Sequence, residues 1–236
     1  MKKLNKKITI TTNAILLLVF TAVFAVSFLP ENTLPIYGGQ EISAIYNGNR
    51  EKNNVSLMFN VYENTEIVNS IIDTLDSFNA KATFFVGGCW ADDNAKTLER
   101  IINSGHELAN HGYFHKDHKN LNYQKNKDEI YNTGVVVKAL CGAELSLFAP
   151  PSGSFSTLTL EVAEELGYKV VMWSKDTIDW RDKDQAKVFK RATEGVSNGD
   201  LILMHPKEHT LLALPLILEY YERVGLNVVT VSENLS

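Results

Sequence analysis

A chain of 236 residues with 44% hydrophobic and 22% charged side chains lies in the ordinary globular range and is long enough for one sizeable core. Its formal net charge is −5, and Lys2, Lys3, Lys6 and Lys7 precede every acid, so the remainder carries nine net negative charges. A body that acidic excludes nucleic acid as a partner, because phosphates demand clustered Lys and Arg.

The lysines are followed by Ile8 to Leu29 without a charged side chain, long enough to cross a bilayer as a helix. Their positive charge places the N-terminus in the cytoplasm and the rest of the chain outside. The expectation is a signal anchor over residues 1–30 and a single-pass protein of the cell membrane with an exported C-terminal domain. A secreted form, cut after a signal peptide at Ala25-Val26-Ser27, is the alternative. Residues 31–53 are polar, carry Pro35, Gly38, Gly39 and Gly48, and read as a linker. Cys89 and Cys141 are too few for a disulfide framework and read as core residues.

Residues 54–236 alternate regularly. Val55–Phe59 reads as a strand and Glu66–Phe78 as a helix with Ile67, Ile71 and Leu75 on one stripe, then Ala82–Val86 as a strand. Helix Ala95–Ser104 is closed by Gly105 and followed by strand "HELANH". Helix Tyr123–Leu140, strand Leu145–Ala149 and helix Thr157–Leu166, closed by Gly167, come next. Strand "KVVMWS", helix Asp184–Val196, strand "DLILMH", helix Leu211–Val224 and strand "NVVTVS" complete the series. Strands alternating with helices predict an α/β fold with a parallel sheet, and about seven such units without an obvious edge strand predict a barrel.

In a barrel the chemistry gathers where strands end. Asn60 follows the first strand, His111 and His115 the third, Pro150 and Pro151 the fourth, Asp176 and Asp179 the fifth, and His205 the sixth. His111 and His115 stand four apart, the spacing that puts two imidazoles on one face of a helical turn, where both can hold one metal ion. His118 is either a third ligand or a surface residue.

These stretches together resemble the NodB-type polysaccharide deacetylases, carbohydrate esterase family four, from about Asn53 to the C-terminus. The likeness rests on "KATFFVGG", "SGHELANHGYFH", "FAPPSG", "WSKDTIDW" and "LILMHP", in the family's order. It implies a distorted (β/α) barrel that removes acetyl groups from N-acetylated amino sugars of chitin-like polymers or peptidoglycan. It implies metal binding by His111 and His115, and a general acid in His205 that Asp179 hydrogen-bonds and tunes. Trp180, with Pro151 and Asp176, would contribute to the substrate groove.

The first motif departs from the family. Met58-Phe59-Asn60-Val61-Tyr62 stands where Thr-Phe-Asp-Asp-Gly is expected, so Asn60 replaces the base and Val61 the third metal ligand. Ala149 stands where the arginine that pairs with the base belongs. Removing one charge alone would strand its partner in the pocket, whereas removing both leaves a neutral pair. Glu66, which opens the first helix, or Glu63 before it, is the candidate to complete a His-His-Glu set for zinc, with cobalt, nickel or manganese also admitted.

Two readings follow. One is a membrane-tethered, metal-dependent deacetylase of cell-wall glycan. The other is a catalytically impaired relative that keeps the groove and binds the glycan.

Overall fold

The computed structural model describes residues 17, 18, 20, 21 and 42–236. The chain divides into two compact units, Met1–Glu41 and Ile42–Ser236. In the first, Leu17, Leu18 and Phe20 are helical and exposed, and the Thr21 hydroxyl donates to the Leu17 carbonyl at 2.6 Å. The rest of the expected anchor, the cleavage site and residues 31–41 of the expected linker lie outside the described residues. Among the described residues no helix is long and apolar enough to cross a membrane.

The second unit is built around β1 (Asn54–Val61), whose residues after Asn54 are all buried. A strand sealed on both faces needs apolar residues on both, which is why "VSLMFNV" reads as a near-continuous run rather than an alternation. β1 is followed by α1 (Thr65–Ser77), β2 (Thr83–Val86), α2 (Gly88–Asp92), α3 (Ala95–Asn103) and β3 (Glu107–Asn110). Then come α4 (Tyr123–Cys141), β4 (Leu147–Phe148), α5 (Thr157–Glu165), β5 (Lys169–Val170) and β6 (Lys175–Asp176). The chain closes with α6 (Gln185–Thr193), β7 (Leu201–Met204), α7 (Glu208–Arg223), β8 (Asn227–Val228) and α8 (Val231–Asn234).

The helices start and stop where their ends can be satisfied. Ser156 and Thr159 form a reciprocal capping box at the start of α5, and the Asp184 carboxylate accepts the Ala186 and Lys187 amides at the start of α6. Gly105 and Gly167, just beyond α3 and α5, take the left-handed backbone (φ 76° and 80°) that lets a helix end cheaply. α1 buries Val68, Ile71, Ile72 and Leu75 against the sheet.

All strand pairings are parallel, in the order β5-β4-β3-β2-β1-β7-β6, with β8 beside the start of β1. The result is a curled half-barrel, the α/β parallel sheet expected but not the full distorted barrel. The stretch "KVVMWS" is not one strand. It breaks after Val170, and β5 and β6 become the two opposite edges of the sheet. "NVVTVS" pairs only through Asn227 and Val228, after which Thr230 caps the short helix α8. Cys89 and Cys141, expected in the core, are unpaired and partly exposed.

The free edge of β5 does not face water alone. Ile45 bridges Val171 in parallel, receiving the Met172 amide (2.7 Å) and donating to the Val170 carbonyl (2.9 Å). Asn47 bridges Asp200 in the antiparallel sense. Residues 42–53, read from composition as linker, therefore lie along the open seam of the half-barrel. Polar composition conceals this, because the contacts are made by backbone groups, which every sequence carries. Arg50 anchors the segment through Ser197 Oγ (2.6 Å), the Asn198 carbonyl (2.7 Å) and Asp200 Oδ1 (3.1 Å).

The buried Asp200 carboxylate also accepts the Ser197 amide (2.8 Å) and the Ser174 hydroxyl (2.9 Å). Asp200→Ala is expected to lower unfolding free energy by about 2–3 kcal/mol, because it strands buried donors. Arg50→Ala should cost no more than about 1 kcal/mol, since half of that side chain is in solvent. Urea denaturation of the two variants checks the order.

Candidate functional site

The parallel register delivers β1, β3, β6 and β7 to one rim. Their ends surround a cleft of about 430 Å³ whose lining includes Asn60, Tyr62, Glu63, His111, His115, Ser152, Trp173, Asp176, Trp180 and His205. Most of the residues singled out at strand ends therefore share one cavity.

His111 is fixed first. Its backbone amide continues the ladder to the Val86 carbonyl (3.0 Å), and its Nδ1–H donates to the Ala149 carbonyl at 2.6 Å. That bond sets the tautomer and leaves Nε2 bare. Burial pushes its pKa down to about 3, so the ring is neutral. His115 follows on a loop, not on the helical turn its spacing predicts. Gly112 (φ 73°) and His115 itself (φ 55°) adopt left-handed backbone, and the loop folds the two imidazole centroids to 5.4 Å from each other. Burial lowers the His115 pKa as well.

Across the cleft, Asp179 is almost wholly buried. Its Oδ1 accepts His205 Nδ1–H at 2.7 Å, and its Oδ2 accepts both the His205 amide and the Thr210 hydroxyl at 2.7 Å. Burial opposes its ionisation, but these donors together hold its pKa below the ordinary carboxylate value. The pair thus orients the His205 ring and leaves its Nε2 free for a ligand. Asp179 is aimed by a strained turn: Ile178, a β-branched residue, sits at φ 54°, held by its amide donating to Asp176 Oδ1 at 2.7 Å. Trp180, 55% exposed, and Trp173 supply aromatic surface to the cleft.

Other expectations are corrected. Glu66 is exposed in the first turn of α1 and does not line the cleft. Glu63 does line it, but its carboxylate is paired with Lys207. Pro151 is buried behind the wall, and Ser152 takes its place at the surface of the cleft. His118 is neither a surface residue nor a cleft residue: it is fully buried, donating Nδ1–H to Asn126 Oδ1 at 2.7 Å. Val61 turns its side chain into the main hydrophobic core. Asn60 lines the floor, 6% exposed, and its Oδ1 has no hydrogen-bond partner among the described residues.

The donor set therefore stops at two neutral imidazoles, one short of the three protein ligands of a catalytic zinc site. Among the described residues, no three His, Cys, Asp or Glu side chains gather as a cation site. The residues present do not fit the family's metal.

Tyr62, Ser152 and Trp173 line the cleft without having been expected there, and Tyr62 makes the closest contacts with the histidine loop. Its hydroxyl lies 2.7 Å from the Gly112 carbonyl and 2.9 Å from that of His111, and it accepts the His115 amide at 2.9 Å. Burial raises its pKa, so it remains a phenol. The signal for it was a bulky aromatic in the slot of the motif's glycine.

Comparison with known proteins agrees with this geometry. The polysaccharide deacetylase family profile matches residues 47–171, and the chain belongs to that family. It is 33% identical to YlxY, an uncharacterized protein of Bacillus subtilis, over 80% of this chain and 59% of that one. It is 29% identical to the peptidoglycan-N-acetylglucosamine deacetylase PgdA of Listeria monocytogenes, over 76% of this chain and 38% of that one. The chain thus spans less than two thirds of these relatives. Among solved structures it is similar to BA3943, a carbohydrate esterase family four pseudoenzyme from Bacillus anthracis (30% identity, TM-score 0.81, 84% of this chain and 70% of that one). A mutant of BA3943 with restored enzymatic activity superimposes equally well, with a TM-score of 0.81 at 28% identity, over 84% of this chain and 72% of that one.

Buried neutral imidazoles make stability depend on pH. The folded His111 stays unprotonated down to about pH 3, whereas an unfolded histidine takes up its proton at about 6.5. Between these values the unfolded chain binds more protons, so stability is lost as pH falls through about 6.5 and below. His111→Gln is expected to flatten that slope in urea unfolding measured from pH 7 to pH 4.

Proposed function

We propose that this domain holds N-acetylated amino-sugar polymer of the cell wall in its rim cleft and does not hydrolyse it efficiently. One observation carries the reading: the floor of the cleft is built from groups that do not ionise, while its rim keeps exposed aromatic and hydrogen-bonding side chains. Hydrolysis of an acetamide by this family's scheme needs a base, a three-ligand metal and a cation beside the base. Those positions hold Asn60, whose amide takes no proton at useful pH, Val61, whose side chain is in the core, and Ala149, which offers only its carbonyl to His111. The rim also carries Trp173, Trp180, Asp176 and the Asp179–His205 pair. Aromatic faces and charge-assisted hydrogen bonds of this kind also hold sugars without reaction.

The similarity to a pseudoenzyme of the same family supports the reading, and the name of PgdA supports peptidoglycan as the polymer. The four early lysines and the apolar run after them support attachment to the cell membrane with the domain outside. Deacetylation with zinc, cobalt, nickel or manganese is the competing reading, favoured by the preserved Asp179–His205 pair.

Full-length protein incubated with peptidoglycan or N-acetylglucosamine oligomers decides between them. Binding without acetate release, with or without each metal, is expected, and Trp180→Ala should weaken binding about tenfold. Metal-dependent acetate release by the wild type would overturn the proposal. Changing Asn60→Asp, Val61→Asp, Tyr62→Gly and Ala149→Arg together is expected to produce zinc-dependent acetate release.

A further inference from the structure

We propose that Tyr62 is the positioning residue of this cleft, its phenol doing by hydrogen bonding what a bridging cation would do by ligation. It ties the loop of His111 and His115 to the end of β1, so the cleft is complete without a divalent ion. The inference deepens the glycan-binding reading and rests on it only where glycan affinity is concerned.

The loop needs a tie. Two of its residues, Gly112 and His115, hold left-handed backbone, and a non-glycine residue stays there only when its surroundings over-determine it. Tyr62 meets both ends of the segment at once. Its hydroxyl reaches the His111 and Gly112 carbonyls on one side and accepts the His115 amide on the other, all within 2.7–2.9 Å. Its ring stands edge-on to the His115 imidazole, with centroids 4.8 Å apart, and 5.5 Å from that of His111.

The opposite face of the ring is accommodated just as closely. A Cβ built on Gly87 would fall 2.2 Å from the Tyr62 ring, so a glycine there is what admits the phenol. Gly87 is itself held to β1 by its amide donating to the Val61 carbonyl at 3.0 Å, and Gly88 donates to the Gly112 carbonyl at 3.0 Å. The middle of the loop is clamped separately by Glu129 Oε2, which accepts the Tyr113 and Phe114 amides at 2.9 and 2.8 Å. The His111 end is held by Val86 and Ala149, and the end carrying His115 depends on Tyr62.

The test uses full-length wild type and Tyr62→Phe, which keeps the ring and removes the hydroxyl. In the wild type, zinc chloride and EDTA are expected to leave the melting temperature and glycan affinity unchanged. In Tyr62→Phe, hydrogen exchange at the His115 amide should accelerate about tenfold and glycan affinity should fall by a similar factor, as for loss of one hydrogen bond. The Tyr113 and Phe114 amides, held by Glu129, should keep their protection, which a general loss of structure would not allow. Restoring tyrosine at position 62 should return both altered readouts.

Unchanged His115 exchange in Tyr62→Phe overturns the proposal, and so does a wild-type melting temperature that rises with stoichiometric zinc. The zinc arm needs no variant, so it decides even if Tyr62→Phe fails to fold. Wild type that binds no glycan while His115 exchange responds as expected overturns the glycan reading alone.

Discussion

Parallel pairing of β1 with β2 on one side and β7 on the other is the constraint from which the site follows. The register sets Asn60 beside Phe85 and Phe59 beside Met204, so the chain leaves each strand at the same height. Because every strand runs the same way, every exit falls on the same rim. His111, Asp179 and His205 come from segments far apart in the chain, yet they meet around one cavity. Nothing local in their sequences brings them there.

Charge decides what that cavity can do. A buried base and its arginine stabilise one another, and loss of either alone leaves an unpaired charge in a poorly solvated place. Here both are absent, His111 is neutral, and the floor has no ionised group to stabilise. The other wall is different: Asp179 is ionised and saturated with donors, and it keeps His205 oriented. A cleft with a neutral side and a polar, aromatic side supports the proposed recognition of a neutral acetamido sugar. The positions of the base and its arginine hold no ionisable group, whereas the Asp179–His205 pair is present.

Legibility in the sequence followed the physical range of each signal. The longer helices were readable because amphipathic stripes and end signals such as Gly105 and Gly167 are local. The short extent of β5 and the separate strand β6 were not, because they are defined by partners rather than by composition. The seam segment around Ile45 was hidden for the same reason: its bonds are made by the main chain, on which side-chain polarity says nothing. Glu66 failed as a ligand because a helix start near the rim does not specify which way the first turn faces.

What the sequence determined by itself was the family, the alternation of elements and the chemical poverty of Asn60, Val61 and Ala149, because an amide, a hydrocarbon and a methyl group have fixed chemistry wherever they are placed. Only the tertiary structure decided that Val61 is in the core, that His118 is buried away from the cleft, and that Tyr62 fastens the histidine loop. Those outcomes depend on the direction of each side chain after a strand ends, and direction there is set by neighbours distant in sequence.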